Sequence, residues 1–186
     1  TKLILEQLPN VNTEEAFTCG LLQNIGELIF ATTLHQQYDQ LLENLKSKDT
    51  TDTEAQEAEL KRLEQELLGI SHTDVGYEVA KMWGLPDSLL LPIKYHHQPL
   101  AYEGLEQKYR QTIRATYLAG LLAQIFYSPT PEVYHKQFRQ EAKQLLGLKV
   151  IGVNNVLKLI DHAIDQSSKF FGITIAPVKS VAEILQ

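Results

Sequence analysis

The residues best suited to chemistry in this chain are histidines. His72 opens a run whose apolar positions are Val75, Val79 and Trp83, and His96 and His97 stand side by side just after a proline-interrupted apolar segment. Neutral imidazole is a good ligand for Zn²⁺, Ni²⁺ and similar ions. Adjacent helical residues point about 100° apart, so His96 and His97 reach one site only if a helix ends there. Plain structural duties compete: His72 packing at a helix start, His97 bonding a backbone carbonyl. His35, His135 and His162 lie in amphipathic, partly polar surroundings and are expected at the surface. The single cysteine, Cys19, excludes an internal disulfide, agrees with a reducing compartment, and is expected as a buried, inert thiol. No phosphate-cradling glycine loop, nucleophile elbow or paired-cysteine motif is present.

These residues must be positioned by helices, because helical punctuation dominates the sequence. Leu3, Ile4 and Leu8 read as a helix tail stopped by Pro9. Phe17, Leu21, Leu22, Ile25, Leu28 and Ile29 cover more than one face of one predicted helix, which should therefore be central. Tyr38, Leu41, Leu42 and Leu45 follow at helical spacing, as do Leu60, Leu63 and Leu67 before Gly69. The acidic cluster from Glu54 to Glu66 alternates with Lys61 and Arg62 and reads as a solvated face. Ser71 with Asp74 makes a capping box, and Gly84 ends the His72 run. Trp83, at that corner, is expected to lock two helices together in the core. Pro92 is expected to break any helix across it. Long helices are predicted over Glu106–Tyr127, Val133–Leu146 and Asn155–Phe170. A short β-branched piece, Ile173–Ile175, and a final helix start at Ser180 complete the chain. The class is all-α: a compact multi-helix bundle over residues 1–148 with a helical extension over 149–186.

Composition narrows the function. The chain has 186 residues, and 17 basic against 23 acidic side chains give a net charge of −6 with no basic stripe. Nucleic acid is thus a poor partner. No apolar run is long enough to span a bilayer and no signal peptide opens the chain, so a cytoplasmic protein is expected. The abrupt start at Thr1 reads as a cut through a larger protein, with an apolar surface left exposed among Leu3, Ile4, Phe17, Leu21 or the Ile113–Tyr117 face; self-association into a homo-oligomer is expected of it.

Several motifs, in order, carry a resemblance. Residues 15–28, Glu-Ala-Phe-Thr-Cys-Gly-Leu-Leu-Gln-Asn-Ile-Gly-Glu-Leu, resemble the helix that bears the histidine–aspartate pair of HD-superfamily phosphohydrolases. Residues 66–76, around Ser71-His72-Thr73-Asp74, resemble their next histidine motif. Trp83-Gly84-Leu85-Pro86 followed by His96-His97-Gln98-Pro99 looks like the HDOD family, the degenerate branch of that superfamily. Arg114 to Gly120 is similar to the helix that carries a final aspartate in active relatives. The resemblance covers about residues 1–148 and implies an HD-like helical domain lacking its N-terminal part.

The departures matter most. Gln23 stands where active relatives have a metal-binding histidine, Asn24 where they have the metal-bridging aspartate, Glu27 where a lysine is usual, and Gly120 where the last aspartate would be. Hydrolytic metal centres rely on anionic oxygens, and neutral amides supply no charge. The resemblance therefore implies a degenerate cleft of Gln23, Asn24, Glu27, His72, His96, His97 and Gly120, with no catalytic residue, no metal and no cofactor. The expected role is a non-catalytic bacterial signal-transduction module relaying or scaffolding through helix packing. The tail, Phe170-Phe171-Gly172-Ile173 with Pro177 and Ser180–Gln186, is similar to connectors that lead into GGDEF domains. That implies a signalling partner or attached output domain and a link to cyclic-di-GMP. The alternative is a metal-dependent phosphohydrolase acting on a nucleotide or cyclic dinucleotide, with ligands recruited from Asp74, Glu78 or Glu103.

Overall fold

The computed structural model describes residues 1–11, 13–46, 53–101, 104, 106–128 and 130–172. Glu103 and the tail from Ile173 onward, with its β-branched piece, Pro177 and the helix start at Ser180, lie outside the described residues. Every element among the described residues is a helix: α1 (Lys2–Leu5), α2 (Ala16–Leu22), α3 (Ile25–Thr33), α4 (His35–Lys46), α5 (Thr53–Leu67), α6 (His72–Met82), α7 (Asp87–Tyr95), α8 (Gln107–Tyr127), α9 (Pro131–Leu146) and α10 (Val150–Phe171). The all-α class is thereby shown. The chain divides into two compact units, Thr1–Gly20 with Pro99–Gln186, and Leu21–Gln98.

In the first unit, α8 packs along α9, and α1 packs on α8 and α10. Its core joins Ile4 and Leu5 to Leu118, Ile125, Phe126, Phe138, Val156 and Leu157. These fall at helical spacings on three long helices, so each buries one stripe and leaves its polar face in water. Ile4 and Ile113, two of the residues expected on an exposed apolar surface, are buried. Phe17 of α2 is exposed, as is Leu21, the first residue of the second unit.

The second unit holds the histidines. Here α3 packs on α6 and α4, α6 on α7, and α4 on α5. One cluster joins Phe30, Tyr38, Leu41 and Leu63; another joins Ala80, Leu90 and Ile93. Gly26 is the tightest point: a Cβ there would stand 1.9 Å from the His72 carbonyl oxygen. Only glycine lets the start of α3 lie against the start of α6.

Three sequence expectations change here. The single central helix is two, α2 and α3, parted at Gln23 and Asn24, where Asn24 leaves helical geometry at φ −102° and ψ 23°. Pro92 does not break its helix; it lies buried inside α7. Proline's missing N–H removes one rung, but the buried row Leu89, Leu90, Pro92 and Ile93 keeps the segment helical. Trp83 is not core: it is 59% exposed. The chain reverses at Gly84, φ +74°, and the Leu85 N–H donates to the Ala80 carbonyl at 3.2 Å. Leu85 then packs on the cluster of Ala80, Leu90 and Ile93 at the corner where Trp83 was expected. Cys19 is buried, as expected, and its thiol is pushed up to about 12 by desolvation first and Glu15 second.

Candidate functional site

Ser71 sets the start of α6. Its hydroxyl accepts from the Asp74 N–H at 3.2 Å and donates to the Asp74 carboxylate at 2.7 Å, and the Lys94 ammonium closes on the same carboxylate. Asp74 ionises below the ordinary carboxylate range: burial opposes this, but the bonds from Lys94 and Ser71 outweigh it. The predicted cap is thus real, and it fixes the backbone from which His72 projects inward.

α7 ends at Tyr95, with His96 as its C-cap. The helix end is what lets two successive imidazoles turn to one place, as the angular argument requires. The ring centroids of His96 and His97 are 4.0 Å apart; those of His72 lie 5.5 Å and 5.1 Å from them. His72 Nε2 and His97 Nε2 are 3.0 Å apart. One nitrogen from each of the three rings falls within 4.8 Å of the others. His72 and His96 are buried and His97 is half-buried.

Behind each ring stands an acceptor for Nδ1. Glu64, 0% exposed, takes His72 Nδ1–H on both oxygens at 2.8 Å and 2.9 Å, and the His72 backbone N–H at 3.0 Å. The Ile93 carbonyl takes His96 Nδ1–H at 2.9 Å. Glu57 Oε2 lies 3.1 Å from His97 Nδ1. Glu64 and Glu57 were expected on a solvated face; that expectation fails for Glu64, which is fully buried, whereas Glu57 keeps 43% of its side chain accessible while facing His97. The Arg62 side of α5, paired with Glu59 and Glu66, is a solvated salt-bridge face. A signal existed: Glu64 falls four residues after Leu60 and one after Leu63, on the apolar side of the helix.

The local field is uneven. Burial alone would lower the His72 imidazole; the bond to Glu64 and the charges of Glu64, Glu27 and Glu57 outweigh it and hold the ring above its usual value. His96 is pushed down to about 4 by burial and by the His72 charge, and His97 lower still by burial and both neighbours. Burial, with Glu64 adding, lifts the Glu27 carboxyl. Glu57 is lifted to about 7, by desolvation first and then by Glu27 and Glu64; 43% of its side chain stays accessible, so water moderates the effect. At neutral pH, His96 and His97 are therefore neutral bases.

The other residues expected in the cleft are less uniform. Glu27 is half-buried and coupled to His72 and Glu64 through charge. Gln23 carries a buried Oε1 without a hydrogen-bond partner. Asn24 is exposed at the N-cap of α3 and makes no capping bond. Gly120 lies on α8, in the first unit, with nothing within 4 Å of a Cβ built there. At the positions that the resemblance matches to the bridging and the last aspartate, Asn24 is an exposed neutral amide and Gly120 has no side chain. His35 and His162 are exposed, and His135 accepts from Arg139 Nε at 3.1 Å. Asp74 and Glu78, the recruits of the hydrolase alternative, are bound to Lys94 and exposed, respectively.

The family described as HDOD domain matches residues 1–99, which include all three clustered histidines and their carboxylate partners. A Treponema pallidum (strain Nichols) protein, described only as "Uncharacterized protein", is 25% identical over 118 residues. That match covers 63% of this chain and 21% of the relative, so the chain spans about a fifth of that relative's length. No solved structure gives a significant match.

Proposed function

The chain belongs to the HDOD domain family, and from that membership and the chemistry of its histidine cluster we propose that it is a non-catalytic signal-transduction module. One observation carries the reading. The positions matched to the bridging aspartate and to the last aspartate of active relatives are Asn24 and Gly120, while the carboxylates that do approach the histidines, Glu64 and Glu57, stand behind the rings at Nδ1. An attacking water needs metals held by anionic oxygens facing the substrate. Here the anionic oxygens orient imidazoles instead.

A module of this kind works by presenting helix faces to a partner. The supports are the family, the exposed apolar side chains of α2, Phe17 and Leu21, and the acidic surface, which disfavours nucleic acid. The partner is a signalling protein or an attached output domain; a cyclic-di-GMP-linked GGDEF domain is the proposed case, and self-association is a second mode. No described helix is long and apolar enough to cross a membrane; the proposed location is the cytoplasm.

The test is a hydrolysis assay of untagged protein with cyclic-di-GMP and with bis-p-nitrophenyl phosphate, in the presence of Mn²⁺ or Fe²⁺. No turnover above buffer is expected. Turnover that is lost in His96→Ala and His97→Ala would establish the phosphohydrolase reading in its place.

A further inference from the structure

We propose that His72, His96 and His97 form a mononuclear site for one divalent transition-metal ion, Zn²⁺ foremost, bound through the inward Nε2 atom of each ring. The site is distinct from a carboxylate-bridged two-metal centre: it uses no oxygen ligand from the protein.

Four observations converge on it. The first is proximity: the candidate ligand nitrogens lie within 4.8 Å of one another. Tetrahedral Zn²⁺ with Zn–N of about 2.0–2.1 Å needs N···N separations of about 3.3 Å. His72 and His97 are already at 3.0 Å. The second is the tautomer. Glu64 and the Ile93 carbonyl each draw the proton of His72 and His96 to Nδ1, and Glu57 faces Nδ1 of His97. That aims the Nε2 atoms inward, as lone pairs on His96 and His97 and, once a metal displaces the proton shared with His97, on His72 as well. Ligating histidines nearly always have such an outer acceptor, which fixes the ring and raises its basicity. The third is an unmet need: His96 Nε2 is buried and has no hydrogen-bond partner. Buried acceptors are rarely left so, and a cation at the centre satisfies it. The fourth concerns the close pair. Two lone pairs 3.0 Å apart repel unless a proton or a metal lies between them. A divalent ion replaces that proton and serves the third ring as well.

The donor set selects the metal. Three neutral imidazoles, with no carboxylate oxygen on the metal itself, suit Zn²⁺, Co²⁺, Ni²⁺ and Cu²⁺, and reject Mg²⁺ and Ca²⁺, which require oxygen. Three protein ligands leave a fourth position for a small molecule. His72 and His97 also line a small pocket with Lys61 and Lys94, so solvent and small anions reach these two rings. In the metal-free protein Glu64 is a positioning residue: it holds the His72 ring without itself reaching the inward face.

Untagged protein is freed of metal with a chelator, then dialysed at neutral pH against Zn²⁺ or Co²⁺, with Mg²⁺ as the contrast. Bound metal is measured by elemental analysis and the Co²⁺ form by its visible spectrum. One equivalent of Zn²⁺, none of Mg²⁺, and the intense visible bands of tetrahedral Co²⁺ are expected. His97→Asn alters a half-buried ring and should keep its helical circular dichroism while losing stoichiometric binding. Glu64→Gln should weaken binding about 10–100-fold, the usual effect of losing an outer-shell acceptor. Binding left unchanged in folded His97→Asn, or no stoichiometric Zn²⁺ in the parent protein, overturns the proposal. Zn²⁺ binding without turnover supports it beside the non-catalytic reading. Zn²⁺-dependent turnover would keep the metal site and remove that reading.

Discussion

Replacing Glu64 by glutamine separates the charge of this side chain from its shape. The carboxylate is 0% exposed and serves two donors on His72: Nδ1–H at 2.8 Å and 2.9 Å, and the backbone N–H at 3.0 Å. Glutamine fills the same volume but offers one acceptor oxygen and points an NH₂ at the second donor. One buried N–H is then left without a partner, which costs about 1–3 kcal/mol. The surviving bond loses its charge assistance, for roughly 1 kcal/mol more. The expected loss is therefore about 2–4 kcal/mol, a large share of the ~5–15 kcal/mol that holds a typical domain together. For a chain of this size that corresponds to a fall of about 5–15 °C in Tm. Thermal unfolding followed by far-ultraviolet circular dichroism, with chelator present, measures it. Glu66→Gln is the control: the side chain is exposed, and substitution there should stay within about 0.5 kcal/mol of the parent. A Glu64→Gln protein melting within a degree or two of the parent would show that Glu64 is not the buried anchor of His72.

Other substitutions test other parts of the fold. Gly26→Ala drives a Cβ to 1.9 Å from the His72 carbonyl, an unyielding backbone atom, and should destabilise by at least about 3 kcal/mol. Gly120→Ala has open space and a helical setting, and should stabilise by about 0.5–1 kcal/mol; equal effects in chemical denaturation at the two glycines would contradict the packing of α3 on α6. Trp83→Ala, at a side chain 59% exposed, should lower stability by no more than about 1 kcal/mol, and a loss near that of a core tryptophan would place Trp83 inside. His135 has its imidazole held below the usual value by burial and by Arg139. The folded form therefore binds its proton less readily than the unfolded chain, so its contribution is present above pH of about 6.5 and is lost as pH falls below that. By NMR titration, Arg139→Gln should move the His135 midpoint upward, and no movement would remove Arg139 as a cause.

The sequence by itself determined the helical class, the capping of α6 by Ser71, the burial of Cys19 and the family. Each depends on residues near one another in the chain, or on motif order, and local spacing reports these directly. It also marked His72, His96 and His97, because they flank helix ends. The tertiary structure decided what surrounds them. Glu64 lies eight residues before His72, and Glu57 forty before His97; both sit in a charge-rich stretch whose composition reads as solvated. Only the turn after α5, which brings α5 and the start of α6 together, shows that Glu64 is buried against His72 and that Glu57 faces His97. The exposure of Trp83 and the continuity of α7 through Pro92 have the same origin. Both depend on which surfaces neighbouring helices cover, and burial energy summed over several side chains overrides the preference of any single residue.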